Sequence, residues 1–127
     1  MNSIISVVVV AALCYFINKA AIKAAGNNAI VCIVPFIEEG LKTFVTLGLG
    51  GIVLLTHISF GIIEGIYDYF NSDKKINLTA SVISVVSHSI FGAITTLGFV
   101  LFKNWHVGMI AASLSHVLWN WAVLKKM

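Results

Sequence analysis

The 127 residues are 59% hydrophobic and 10% charged, with a single proline and a formal net charge of +3, and the mean hydropathy is +0.99. A soluble domain of this length carries about a quarter charged residues, so the composition excludes that class and points to an integral membrane protein. The surplus positive charge comes from lysines at the edges of apolar segments; it reports topology and gives no support to nucleic-acid binding.

Five apolar segments of spanning length are predicted, making one domain, residues 1–127. The first runs from about Ile4 to Ala25 and has no basic region before it. Lys19 and Lys23 come at its end, the pattern of a retained anchor and not of a cleaved signal peptide. Gly26-Asn27-Asn28 turns the chain into the second segment, about Ala29 to Leu47. Gly48, Gly50 and Gly51 interrupt the pattern before the third, about Ile52 to Phe70, which the polar loop Asn71 to Lys75 closes. The fourth covers about Leu78 to Phe102, and after Lys103-Asn104-Trp105-His106 the fifth covers about Val107 to Leu124. The fold class expected is therefore all-α, a polytopic membrane bundle of about five helices. Five spans place Lys19, Lys23, Lys74, Lys75, Lys125 and Lys126 on one side and Lys103 on the other. The positive-inside rule then puts the N-terminus outside and the C-terminus in the cytoplasm, the cell membrane being the expected location. Cys14 and Cys32 both fall within apolar segments and form neither a disulfide framework nor a zinc-finger spacing.

The second segment contains Pro35-Phe36-Ile37-Glu38-Glu39-Gly40-Leu41-Lys42, three charges inside an apolar run. At about 100° per residue, Lys42 projects between Glu38 and Glu39 one turn further along, so the three share a helix face. Charge at membrane depth costs a few kcal/mol or more and marks a functional interior. Pro35 removes a backbone donor one turn before Glu39, and a kink there opens backbone polar groups toward the same place.

Other segments bring polar groups to a similar depth. At about 1.5 Å rise per residue, Glu38, Glu39, Glu64, His88 and His116 lie roughly 9–15 Å from the cytoplasmic ends of their helices. Small or polar residues share their faces: Phe60, Gly61, Gly65 and Asp68 around Glu64; Ser81, Ser84, Gly92 and Thr95 around His88; Gly108, Ala112 and Asn120 around His116. Gly61 to Gly65 is a close-packing pair that turns Glu64 toward a neighbouring helix. Asn120, one turn from His116, is placed to orient the imidazole or to donate to an oxyanion. His57 and His106 fall near the outer ends of their helices and are expected at the interface, Asp68 at the cytoplasmic edge. Trp105, Trp119, Trp121, Tyr67 and Tyr69 sit mostly near the interfaces, as an aromatic belt would.

Four motifs in order, Glu38-Glu39-Gly40-Leu41-Lys42 (EExxK), Phe60 to Glu64 (FxxxE), the lone helix histidine His88, and His116 to Asn120 (HxxxN), resemble the intramembrane protease superfamily of CAAX prenyl endopeptidases, CPBP bacteriocin-immunity proteins and PrsW proteases. The resemblance spans Pro35 to Asn120; lysine at the fifth motif position and FxxxE look like the PrsW branch, HxxxN more like the CPBP branch. It implies an endopeptidase acting on a membrane-associated protein or peptide near the cytoplasmic side. Two mechanisms fit these residues. Either Glu64, His88 and His116 hold Zn²⁺ or a similar divalent ion while Glu38 or Glu39 serves as base and Asn120 steadies the oxyanion. Or no metal binds, Glu38 activates water directly, His88 assists, and His116 with Asn120 stabilises the tetrahedral intermediate. The metal form is the expectation from sequence. A non-catalytic membrane scaffold or immunity-type binding protein, a haem held by His88 and His116, and an ion or proton relay are the other classes, and a homo-oligomer is compatible with each.

Overall fold

The structure, a computed structural model, describes residues 2–125, so Lys126, one of the lysines in the topology count, lies outside the described residues. Helix α1 (Asn2–Ala25) is followed by a broken segment made of α2 (Asn27–Cys32), α3 (Val34–Gly40), a π-helical turn (Leu41–Val45) and the single turn α4 (Thr46–Gly48). Then come α5 (Val53–Asn71), α6 (Asn77–Phe102) and α7 (Trp105–Leu124). The described residues are helical with short connections and contain no strand. Among the described residues, two helices, α1 and α6, are long and apolar enough to cross a membrane.

The break at Ile33 follows from Pro35, which stands in the first turn of α3 and has no N–H to continue the α2 ladder. The π-turn begins two residues after Glu39 and carries Lys42; such an extra residue in a helical turn re-aims side chains and recurs at functional sites. Gly50 adopts φ +69° in the link to α5, a conformation open to glycine at little cost. Lys103 ends α6 in the left-handed region at φ 54°, and Asn104 starts α7 by accepting from the backbone N–H of His106 at 2.9 Å.

Helices α5 and α6 pack antiparallel at close range. A Cβ on Gly61 would lie 2.9 Å from His88 Cβ, and one on Gly92 would lie 2.6 Å from His57 Cβ. The expected Gly61–Gly65 contact therefore faces α6, and Glu64 with it. Ser3 Oγ accepts from the backbone N–H of Ile52 at 3.2 Å, which brings the starts of α1 and α5 to one end. The molecule is inverted relative to a soluble domain. Glu39, Lys42 and His57 are fully enclosed, whereas Ile4, Phe16, Phe70, Leu101 and Leu118 are exposed.

Candidate functional site

The site is built around Lys42. Its ammonium lies 3.1 Å from Glu38 Oε2 and 3.1 Å from Glu39 Oε1, so the face shared by the three charges in the sequence is the face that points inward. It also lies 3.0 Å from His88 Nδ1 and 4.1 Å from the centre of the Phe60 ring, a desolvated cation–π contact. An ammonium only donates. His88 Nδ1 is therefore the accepting nitrogen, and Nε2 carries the hydrogen that it donates to Glu64 Oε2 at 2.5 Å.

Glu39 has both oxygens engaged. Oε1 accepts from Lys42 and from His116 Nδ1 at 3.2 Å, and Oε2 pairs with His57 Nε2 at 2.8 Å. Glu38 accepts from Asn18 Nδ2 at 2.7 Å through its other oxygen. One network thus joins α1, α3, the π-turn, α5, α6 and α7. Aromatic rings seal it: Phe91 stacks on His116 at 4.6 Å, and His88 meets His116 edge to face at 5.4 Å. Glu64 differs from the other two acids in that its side chain is 37% exposed. It lines a cavity of about 450 Å³ between α1 and α5.

Glu38, Glu39, Lys42, Glu64, His88 and His116 are thus brought together as the sequence anticipates. Two corrections concern their neighbours. His57 is not interfacial: it is fully buried, with Nδ1 donating to Val53 O at 2.9 Å and Nε2 on Glu39. It lies two helical turns before Glu64 on the same face of α5, a spacing that could have found it. Asn120 is turned away from His116 and donates to Ile30 O at 2.9 Å. Ile30 stands in the last turn of α2, where carbonyls lack intrahelical donors, so the break before Pro35 creates the acceptor that takes this amide. Asn18 was not anticipated; only its position inside an apolar segment could have signalled it. His106 is exposed and bonded to Asn104. Asp68 accepts from Ser84 at 2.6 Å and, with Asn120, lines a larger cavity of about 670 Å³. That cavity contains none of the networked acids and imidazoles, so the smaller one, which holds Glu64, is the one relevant to chemistry.

The donors fit a divalent metal poorly. Ligand atoms of Glu38, Glu39 and His88 converge within 4.8 Å of one another, but each of these residues already faces the Lys42 ammonium, and a divalent ion placed among them would oppose that charge. In the set expected from sequence, Glu64 Oε2 and His88 Nε2 are 2.5 Å apart, whereas two donors on one tetrahedral zinc stand about 3.3 Å apart. His116 gives its Nδ1 to Glu39. A scan against protein-family models and searches of curated proteins and of solved structures return no match.

Proposed function

We propose that this chain is a five-span integral membrane protein that hydrolyses a peptide bond of a membrane-associated polypeptide, using a water activated by a glutamate without a metal. The observation that carries this reading is Glu64: a carboxylate joined to a histidine, open to a cavity, and backed by a buried cation. The order and spacing of the motifs, which resemble those of the CPBP and PrsW proteases, support the same reaction class. The inverted burial supports the membrane setting, as does chain alternation that gathers Lys19, Lys23, Lys74, Lys75 and Lys125 at one end, the cytoplasmic one by the positive-inside rule.

The division of labour follows from which oxygens are free. Glu39, with both oxygens engaged, holds Lys42, His57 and His116 in place. Lys42 fixes the tautomer of His88, and His88 orients Glu64. A water in the cavity gives its proton to the second oxygen of Glu64 as its own oxygen bonds to the peptide carbonyl carbon. Glu64 then returns that proton to the departing amine as the C–N bond breaks, leaving a carboxylic acid and an amine, which ionise to carboxylate and ammonium as they leave. Glu38, with Glu39 one of the two bases the sequence leaves open, is held between Asn18 and Lys42 and acts on the charge balance of the pair.

The test is hydrolysis by the purified protein in liposomes, read by mass spectrometry on a synthetic transmembrane peptide and on casein. Wild type should yield new termini, and Glu64→Gln should lower the rate by about 10²–10⁴-fold, the usual contribution of a general base. A folded wild type that cleaves neither substrate, with Glu64→Gln indistinguishable from it, would contradict the assignment and favour the scaffold class.

A further inference from the structure

The larger cavity, of about 670 Å³, takes no part in the network around Lys42 and lies where α2, the end of α5, the start of α6 and the end of α7 meet. Its volume is in the range of ligand-binding clefts. The polar lining is Asp68, Ser72, Thr79, Ser84, Trp119 and Asn120, and isoleucine, valine and alanine side chains make up the rest. Among the described residues, Asp68 is the one charged group in that lining. Ser84 donates to its Oδ2 at 2.6 Å, whereas the ion pairs of the described residues all belong to Glu38, Glu39 and Glu64. This carboxylate therefore has no cation among them. Asp68 stands one turn before the end of α5 at Asn71, about 4.5 Å of rise, and Trp119 stands in the last turns of α7. That is headgroup depth, where tryptophan also belongs.

A carboxylate set among aliphatic walls suits a cation that carries apolar chains. A purely anionic headgroup is opposed by Asp68, and a small hydrophilic amine leaves the aliphatic walls uncovered. A lysine-flanked polypeptide meets like charge at the rim: Ser72 and Ile76 line the cavity, the exposed loop between them is Asp73-Lys74-Lys75, and Lys125 follows Val123 of the lining by two residues. A zwitterion with its ammonium inward and its phosphate outward matches both the acid inside and the lysines outside. We propose that this cavity binds a phospholipid of the cytoplasmic leaflet with a primary-amine headgroup, of the phosphatidylethanolamine class, its ammonium on Asp68, its phosphate at Lys74 and Lys75, and an acyl chain along the aliphatic walls. A primary ammonium has three N–H donors, and Asp68, Ser84 and Thr79 supply oxygens to receive them. Choline has no N–H to give, and the aromatic cage that favours it is reduced here to the indole of Trp119. Such a site needs the membrane setting and the topology proposed above and is independent of hydrolysis. The lipid bound there braces α5 and α6 against the wall that Asn120 makes by donating to Ile30 O at 2.9 Å.

The experiment is native mass spectrometry of the purified full chain in detergent, offered an equimolar mixture of dioleoyl phosphatidylethanolamine, phosphatidylcholine and phosphatidylglycerol, whose adducts differ in mass. The ethanolamine lipid should be retained about fivefold more than either of the others, the effect of charge-assisted hydrogen bonds that only its headgroup can give Asp68. Asp68→Asn should remove that preference and bring its adduct down to the level of the choline lipid. Ile83→Trp, which fills the cavity and leaves every charge in place, should do the same by displacing the chain. The double variant Lys74→Gln/Lys75→Gln should weaken the ethanolamine and choline adducts alike and keep their ratio, since both lipids carry the phosphate. Equal adducts from the three lipids overturn the proposal, as does an ethanolamine preference that survives both Asp68→Asn and Ile83→Trp. Displacement of the lipid by excess soluble phosphoethanolamine would make this a site for a free solute, and displacement by an equimolar lysine-flanked transmembrane peptide would make it a polypeptide site; either result overturns the lipid assignment. None of these outcomes depends on peptide cleavage, so the hydrolysis assay and this one fail separately.

Discussion

Replacing Lys42 by methionine, which keeps most of the volume and removes the charge, should be the most damaging single change to stability. The ammonium is fully enclosed and faces two carboxylates at 3.1 Å each and an imidazole at 3.0 Å. At an effective dielectric of about 20, one such pair attracts by about 5 kcal/mol before desolvation is counted. Removing one partner of a buried pair costs about 3–5 kcal/mol, because the carboxylates remain without their cation. Against a folding free energy of about 5–15 kcal/mol, that leaves the protein marginal. Unfolding by sodium dodecyl sulfate titration in mixed micelles, followed by tryptophan fluorescence, measures the loss. The double variant Lys42→Met/Glu38→Gln removes one of the orphaned charges and should recover at least about 1 kcal/mol. A Lys42→Met protein within about 1 kcal/mol of wild type, with no recovery in the double variant, would show that the ammonium is not the hub of the network.

His57→Ala should cost about 2 kcal/mol by leaving Glu39 Oε2 without its donor, and diethyl pyrocarbonate should modify His106 in the native protein long before His57, which mass spectrometry of the labelled peptides would reveal. Gly92→Ala places a methyl group 2.6 Å from His57 Cβ, so the α5–α6 contact should open and the unfolding free energy should fall by about 1–3 kcal/mol. Substituting Asn120 by alanine should weaken the hold of α7 on α2 by about 1 kcal/mol and lower the hydrolysis rate far less than Glu64→Gln does; a loss as deep as that of Glu64→Gln would return Asn120 to the oxyanion. A reporter fused to the C-terminus should be labelled from the cytoplasmic side, and labelling from outside would reverse the topology.

The parts of this molecule that were legible in the sequence are those where spacing alone sets direction. Lys42 meets Glu38 and Glu39 because residues three and four apart share a helix face, and Glu64 meets His88 because Gly61 and Gly65 leave room for α6 beside it. The outer limits of the five apolar segments fall within a few residues of helix ends because apolar length, glycine and lysine mark them, but the second segment, expected as one helix from about Ala29 to Leu47, is divided into α2, α3, a π-turn and α4. What was hidden depended on how helices are displaced along their axes. His57 looked interfacial when its depth was counted from the end of its own helix, but the broken second segment brings Glu39 level with it. Asn120 looked catalytic from its distance to His116, and a carbonyl freed by the break at Ile33 claimed it instead. Asn18 belongs to a helix with no motif, and only packing shows that it reaches Glu38.

The central claim is a glutamate-activated water in a site organised by the Lys42 ammonium without a metal. The measurement that addresses it most directly is the rate of transmembrane-peptide cleavage by protein stripped of divalent metal with a strong chelator, with elemental analysis of the same sample. The stripped wild type should cleave at its original rate with no bound metal, while stripped Glu64→Gln should remain about 10²–10⁴-fold slower. Cleavage that disappears with the metal and returns when zinc alone is added back would contradict the claim and restore Glu64, His88 and His116 as a metal centre.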